Sequence, residues 1–297
     1  MEIRQLRSFQ AVANLLSFNK AADKLHYAQS SISAQIHLLE EELGTQLFER
    51  LGKKVQLTET GTQLLHYADK ILDLVKETEA ELIGDKEPVG SLTIRIPESF
   101  GVCRLPEIIR DFHTGFPRVK LNFITCAHED LSKDLRKGVI DLAFLLTESV
   151  SAADLLVETL GFEEVVLVAS PAHPLAGKRK VHTRDLAGAT ILLSKVDCSY
   201  RKIFERILDQ EKVTSLNILE FYSVEVIKRS LMANVGVTVL PKVAVAEQVS
   251  RKRLVILPWS EDKIEVALLM IRYREKWLSP TLKAFMEVTK KVLIRNR

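Results

Sequence analysis

Cysteine is scarce: Cys103, Cys126 and Cys198 are the only three in 297 residues, far apart and in no ligand-like spacing. An odd, scattered set suits reduced thiols in a cytoplasm and gives no disulfide framework. Long apolar runs are missing too. Nothing approaches the roughly 18 residues that a membrane span needs, and the opening "MEIRQLRSF" lacks the apolar stretch of a signal peptide. The expectation is a cytoplasmic chain with no membrane partner. Glycine and proline are few, 12 and 9, beside 46% hydrophobic residues, so disorder is not the default. An excess of charge of one sign is also lacking. Formal net charge is +3, so any nucleic-acid site has to be a local patch. The seven histidines show no paired ligand spacing, and no G-x-S-x-G, phosphate loop or Rossmann glycine pattern occurs. Neither a metal, a cofactor nor an enzyme is expected.

What is present separates by texture. Residues 1–58 show tight helical periodicity with Lys and Arg scattered through it. Residues 59–87 read as one long helix, stopped by "GDKEPVG" at 84–90. In 88–297, short β-branched runs alternate with helical stretches, which is the pattern of α/β units.

The first region carries "SFNKAADKLHYAQSSISAQIHLLEEELGTQLFER", residues 17–50. Ser17 is placed to cap a helix at Phe18–Leu25 with Ala21, Ala22 and Leu25 inward, and "HYAQ" is a tight break. A second helix runs from about Gln29 to Leu43, ended by Gly44 as a left-handed cap. Ile32, Ile36, Leu39 and Leu43 form its inward stripe. The opposite side offers Gln29, Ser30, Ser31, Ser33, Ala34 and His37, which are small or hydrogen-bonding and free of carboxylates. Glu40, Glu41 and Glu42 come only at the far end. A helix entering the major groove of double-stranded DNA needs such a face. Cations flank it: Arg4, Arg7, Lys20 and Lys24 before it, then "LFERLGKKVQLT", two short strands forming a wing tipped by Arg50, Lys53 and Lys54. Phosphate contacts from these would fix register while the helix reads bases. The other reading is a helical interaction module with a solvated basic rim.

Thr58 can cap the long helix, with Glu59 in its first turn. Leu64, Ala68, Ile71, Val75 and Leu82 recur at steps of four, three, four and seven, a 3.5-residue seam along which helices pair. The same residues would also serve an amphipathic helix packed on its own domain.

"LRSFQAVANLLSFNKAADKLHYAQSSISAQIHLLEEELGTQLFER", followed by "LTETG", resembles the N-terminal signature of LysR-type transcriptional regulators, over about sixty consecutive residues. The resemblance implies an α+β multidomain chain. Its parts are a winged helix-turn-helix at 1–58, a linker helix at 59–87 that pairs two chains, and a two-lobed effector domain like a periplasmic binding protein at 88–297. Lobe 1 would span about 91–160 and 269–297, and lobe 2 about 161–268. It also implies a homodimer or homotetramer, a small-molecule effector and contact with RNA polymerase. Two positions depart from the family pattern: Ala28 stands where Ser or Thr precedes the reading helix, leaving its cap to a neighbour. Ala34 stands where an Arg is frequent, which removes one long cation from the DNA contacts.

In the third region the strand-loop-helix runs put loops at the C-terminal ends of strands, where open α/β sheets bind ligands. Four loops qualify: Glu98-Ser99-Phe100, Thr125 to His128, Cys198-Ser199-Tyr200-Arg201, and Tyr222-Ser223-Val224. The family resemblance points to Ser99, Ser199 and Ser223 within them. Each serine reads equally as a helix cap. Arg201 suits an anionic effector or an ion pair with Glu205 four residues on. Cys198, at a helix start, reads as a thiol with depressed pKa or as an inert reduced one. Two functions remain open on these residues: a ligand-responsive transcription factor, or a small-molecule-binding α/β protein with a helical interaction module.

Overall fold

The computed structural model describes all residues except 52–53, 84–87, 126–129, 149, 151, 195–198, 215–216, 261–263 and 296–297. The N-terminal part runs α1 (Ile3–Leu15), α2 (Phe18–Leu25), α3 (Gln29–Leu43), β1 (Phe48–Leu51), β2 (Lys54–Leu57) and α4 (Glu59–Ile83). Local chemistry sets these ends. Ser17 Oγ accepts the Lys20 N–H at 3.3 Å to start α2. His26 closes α2 and Gly44 closes α3, both with left-handed backbone. Thr58 Oγ1 accepts the Gly61 N–H at 2.9 Å to start α4, and donates to the Gln46 carbonyl at 2.8 Å. Gly61 itself cannot be replaced freely, because an added Cβ would stand 2.1 Å from the Leu47 carbonyl oxygen.

Phe9, Val12, Ala21, Ala22, Ile32, Ile36, Leu39, Leu47 and Phe48 pack into one core, which Ala68 and Leu72 of α4 complete. Phe48 anchors it, with ring centroids 5.4 Å from Phe9 and 5.7 Å from Phe18. Full burial of such a ring contributes about 1.5–3 kcal/mol. Leu43, expected inward, is exposed, because the last turn of α3 runs past this core.

The second part contains β3 (Gly90–Ile96), α5 (Glu98–Cys103), α6 (Leu105–Gly115), β4 (Val119–Thr125), α7 (Leu131–Arg136), β5 (Leu142–Thr147) and β6 (Leu155–Ala169). It continues with β7 (Thr190–Ser194), α8 (Ser199–Gln210), β8 (Asn217–Phe221), α9 (Val224–Met232), β9 (Val237–Pro241), α10 (Lys242–Ser250), β10 (Val255–Ile256), β11 (Ile264–Tyr273) and α11 (Pro280–Arg295). The chain divides into two units: Met1–Ser91 with Arg118–Lys120, and Leu92–Pro117 with Leu121–Arg297.

Strand order in the large sheet is β4-β3-β5-β11-β6-β9-β7-β8, with β10 beside β6. Parallel pairing joins β3 to β5 and β7 to both β8 and β9, as the alternating strand and helix runs require. The two parallel halves are joined by β6 and β11, long antiparallel strands paired from Ile264–Val165 to Tyr273–Leu155 with a one-residue register shift between Leu268 and Leu269. β11 pairs onward with β5, and the far end of β6 with β9. β6 begins at Leu155, well before its buried apolar half. Its first half alternates too little with apolar residues to be read from sequence, because "VETLGFEE" is largely exposed along one edge of the β6–β11 ribbon.

Candidate functional site

Ile32, Ile36 and Leu39 fix the rotation of α3 by burial, and this turns Gln29, Ser30, Ser31, Ala34 and His37 to solvent, with Ser33 half-buried. Gln29 Nε2 donates to Ser33 Oγ at 2.8 Å, so the two share one side. His37 Nε2 sits 3.2 Å from Glu41, the first carboxylate after the face. Glu40 is turned away from it, accepting the Leu47 N–H at 2.7 Å. Ala28 is the N-cap and offers no side-chain oxygen to the start of α3. The first amides of α3 thus keep their partial positive charge for an outside acceptor.

Lys20 is exposed on α2. Arg50 lies on β1 and Lys54 on β2, where Leu51 pairs with Lys54 across the hairpin. Lys53 lies outside the described residues. Tyr27 and Leu38 are exposed as well. Sequence reasoning passed over both; Leu38, four residues after Ala34, stands on the same side of the helix, and that spacing was the available signal.

In the second unit the loop after β3 folds into α5. Ser99 is 2% exposed, and its Oγ has no hydrogen-bond partner among the described residues. Phe100 stacks on Phe144 with centroids 4.7 Å apart. Glu98 Oε2 accepts the Val224 N–H at 2.9 Å. This bond brings the loops after β3 and β8, two of the four expected, into contact from opposite halves of the sheet. Ser223 is the N-cap of α9, without a side-chain cap bond of its own. Thr125 is exposed at the end of β4. Ser199 opens α8, and Tyr200 behind it is buried. His128 and Cys198 lie outside the described residues. Cys103, at the end of α5, has its thiol pushed up by burial, against the pull of Lys228 and Arg104.

Arg201 is engaged within its own unit. Its Nε donates to Glu205 at 2.8 Å, one amino group meets Glu220 at 2.7 Å, and another donates to the Ser194 carbonyl at 2.7 Å. Burial alone would lower its pKa, but the two carboxylates outweigh this and hold it above the ordinary value. The side chain ties α8 to β7 and β8. No helix among the described residues is long and apolar enough to cross a membrane, and no His, Cys, Asp and Glu cluster among them could hold a metal ion.

Residues 3–62 match the family described as bacterial regulatory helix-turn-helix protein, lysR family, and residues 85–293 match the LysR substrate binding domain. The chain belongs to the LysR family of transcriptional regulators. It is 39% identical over 292 residues to the uncharacterized HTH-type transcriptional regulator YwqM of Bacillus subtilis, covering 98% of this chain and 99% of that one. To the HTH-type transcriptional regulator GltR of the same species it is 30% identical over 286 residues, covering 96% and 95%. The fold is also that of full-length CbnR complexed with its target DNA, with TM-score 0.69 at 22% identity, covering 98% of this chain and 100% of that one. As a LysR-type regulator the chain is a DNA-binding transcription factor with an effector-binding domain, and not an enzyme.

Helix α4 of this LysR-type regulator carries both buried and exposed apolar residues. Ala68 and Leu72 are buried, with Leu64, Leu65 and Ile71 packed against the DNA-binding core. Tyr67, Leu74 and Leu82 are exposed, Leu82 at 82%. Three of the five seam residues, Leu64, Ala68 and Ile71, therefore serve the helix's own domain, while Leu82 of the same seam is exposed, as are Tyr67 and Leu74.

Proposed function

We propose that this LysR-type regulator acts in the cytoplasm as a homodimer paired through α4. The domains divide as 1–58, 59–87 and 88–297. In this reading α3 enters the major groove and reads bases with Gln29, Ser30, Ser31, Ser33, Ala34 and His37. Lys20, Arg50, Lys53 and Lys54 hold the sugar–phosphate rails. A small-molecule effector enters the crevice between lobe 1 (about 91–160 and 269–297) and lobe 2 (about 161–268). Ser99, Ser199 and Ser223 are its first candidates for contact, with Glu98, Phe100, Thr125, His128, Cys198 and Tyr200 around them. A homotetramer and a contact with RNA polymerase complete the assembly. The supporting observation is the exposed side of α3 from Gln29 to His37, which carries no carboxylate of its own and is held in rotation by three buried residues on the opposite stripe.

Fluorescence anisotropy on promoter DNA across a salt series tests it. Each phosphate contact contributes about −0.9 to the slope of log affinity against log salt. Lys54→Ala should weaken all sequences alike and make that slope shallower by about 1. Ser33→Ala or His37→Ala should instead change which sequence is preferred. An unchanged slope in Lys54→Ala removes the wing from the interface.

A further inference from the structure

The two halves of the large sheet are joined covalently by β6 and β11, and they also meet through partly buried hydrogen bonds, one of them made by Glu98. Glu98 opens α5 on the β4-β3-β5 side, while Val224 opens α9 on the β9-β7-β8 side. Glu98 Oε2 accepts the Val224 N–H at 2.9 Å, across 126 residues of chain. A first-turn amide has no helix carbonyl to bond, and Ser223 at the N-cap supplies no side-chain oxygen. The carboxylate of the opposite half takes that place, at the positive end of the helix dipole.

Glu98 is also firmly mounted. Its neighbours Ser99 and Phe100 are buried, and Phe100 stacks on Phe144 of β5. This mounting ties Glu98 to the β5 side, so a change in angle between the halves would strain its bond to α9. Lys228 already meets Glu225 and the Ala244 carbonyl, and Arg104 at the end of α5 meets Glu163 of β6 at 2.9 Å, a second partly buried tie between the halves. Another bridge between the halves, Arg206 to Glu148 at 3.3 Å, is solvent-exposed and so contributes little. Beside the bond, the Ser99 hydroxyl is buried without a partner among the described residues, a group that a ligand could satisfy.

We propose that Glu98 is an internal latch. Its carboxylate caps α9 from the opposite half and holds the ligand-free crevice in one arrangement, and an effector acts by displacing it. The consequence for effector action rests on the reading of a ligand-responsive regulator, but the latch is testable without effector or DNA.

Residue-resolved hydrogen exchange on the ligand-free full-length protein reads it directly, since the Val224 amide depends on Glu98 for its protection. Glu98→Ala should speed exchange at Val224 about tenfold or more, as expected for loss of a bond to a charged acceptor. Glu98→Gln, which keeps an acceptor, should speed it less, and the last turn of α9 should not change. Sodium acetate should restore protection in Glu98→Ala, whereas sodium chloride at equal ionic strength should not. Unchanged exchange at Val224 overturns the latch, as does an equal rise throughout the second unit that acetate leaves unaltered. DNA affinity of the same samples reports separately on the regulator assignment, so the two can fail independently.

Discussion

At the scale of the residue, Ser99 and Arg201 show why a serine and an arginine in equivalent-looking loops behave differently. Arg201 finds two carboxylates and a carbonyl within its own domain, so its charge is consumed. Only Glu205, four residues away, was visible in the sequence; Glu220 arrives on another strand. Ser99 has the opposite fate, buried with its hydroxyl unpaired among the described residues. Leaving a buried hydroxyl unpaired costs about 1–3 kcal/mol. Ser99→Ala should therefore melt at or above the temperature of the parent, which calorimetry would show. Combined with Ser199→Ala, it should abolish any effector-induced shift in the DNA footprint while leaving basal DNA binding intact. A shift that survives in the double variant would exclude both serines from the ligand site.

Elements bring a different kind of information. Helices α2 and α3 were legible almost to the residue, because Ser17, Gly44 and the Ile32-Ile36-Leu39 stripe act over short spans of chain. Helix α4 was legible as a helix but not by face. Its apolar residues go round more than half the cylinder, and periodicity cannot say which of two partners each side meets. The structure assigns Ala68 to the home core and leaves Leu74 outside it. These faces should respond oppositely to substitution. Ala68→Leu overpacks the core and should lower stability of the first unit by about 1–3 kcal/mol in urea unfolding. Leu74→Ala should leave that stability unchanged but remove about 1.5–3 kcal/mol from each of two chains at a pairing interface. Sedimentation should then show a dimer weakened about 100-fold or more. If Leu74→Ala sediments like its parent, pairing runs along another surface.

For the whole molecule, the division of labour between units is the testable matter. The second unit has its own sheet and its own buried cluster of Leu131, Leu135, Ile140, Leu145, Leu269 and Ile271, and residues 85–293 match a family domain by themselves. A fragment of residues 88–297 should accordingly unfold cooperatively and bind no DNA. In a thermal-shift screen of carboxylates and amino-acid precursors, it should respond to the same compounds as the full chain. A fragment that responds to none of the compounds recognised by the full chain would mean that the ligand site needs residues before 88.

The sequence by itself determined the helix-turn-helix, its caps, the wing hairpin and the alternation of strand and helix, because each follows from contacts between residues a few positions apart. It determined the family as well, since the signature is a contiguous local pattern. Tertiary structure alone decided that β6 and β11 run antiparallel as the bridge between the sheet halves, and that Glu220 meets Arg201. It alone decided which side of α4 stays uncovered, and that Glu98 reaches the first amide of α9. All four depend on segments that are distant in the chain and adjacent in space. Periodicity and capping describe a residue's own helix or strand, and carry nothing about the partner that packing will bring to it.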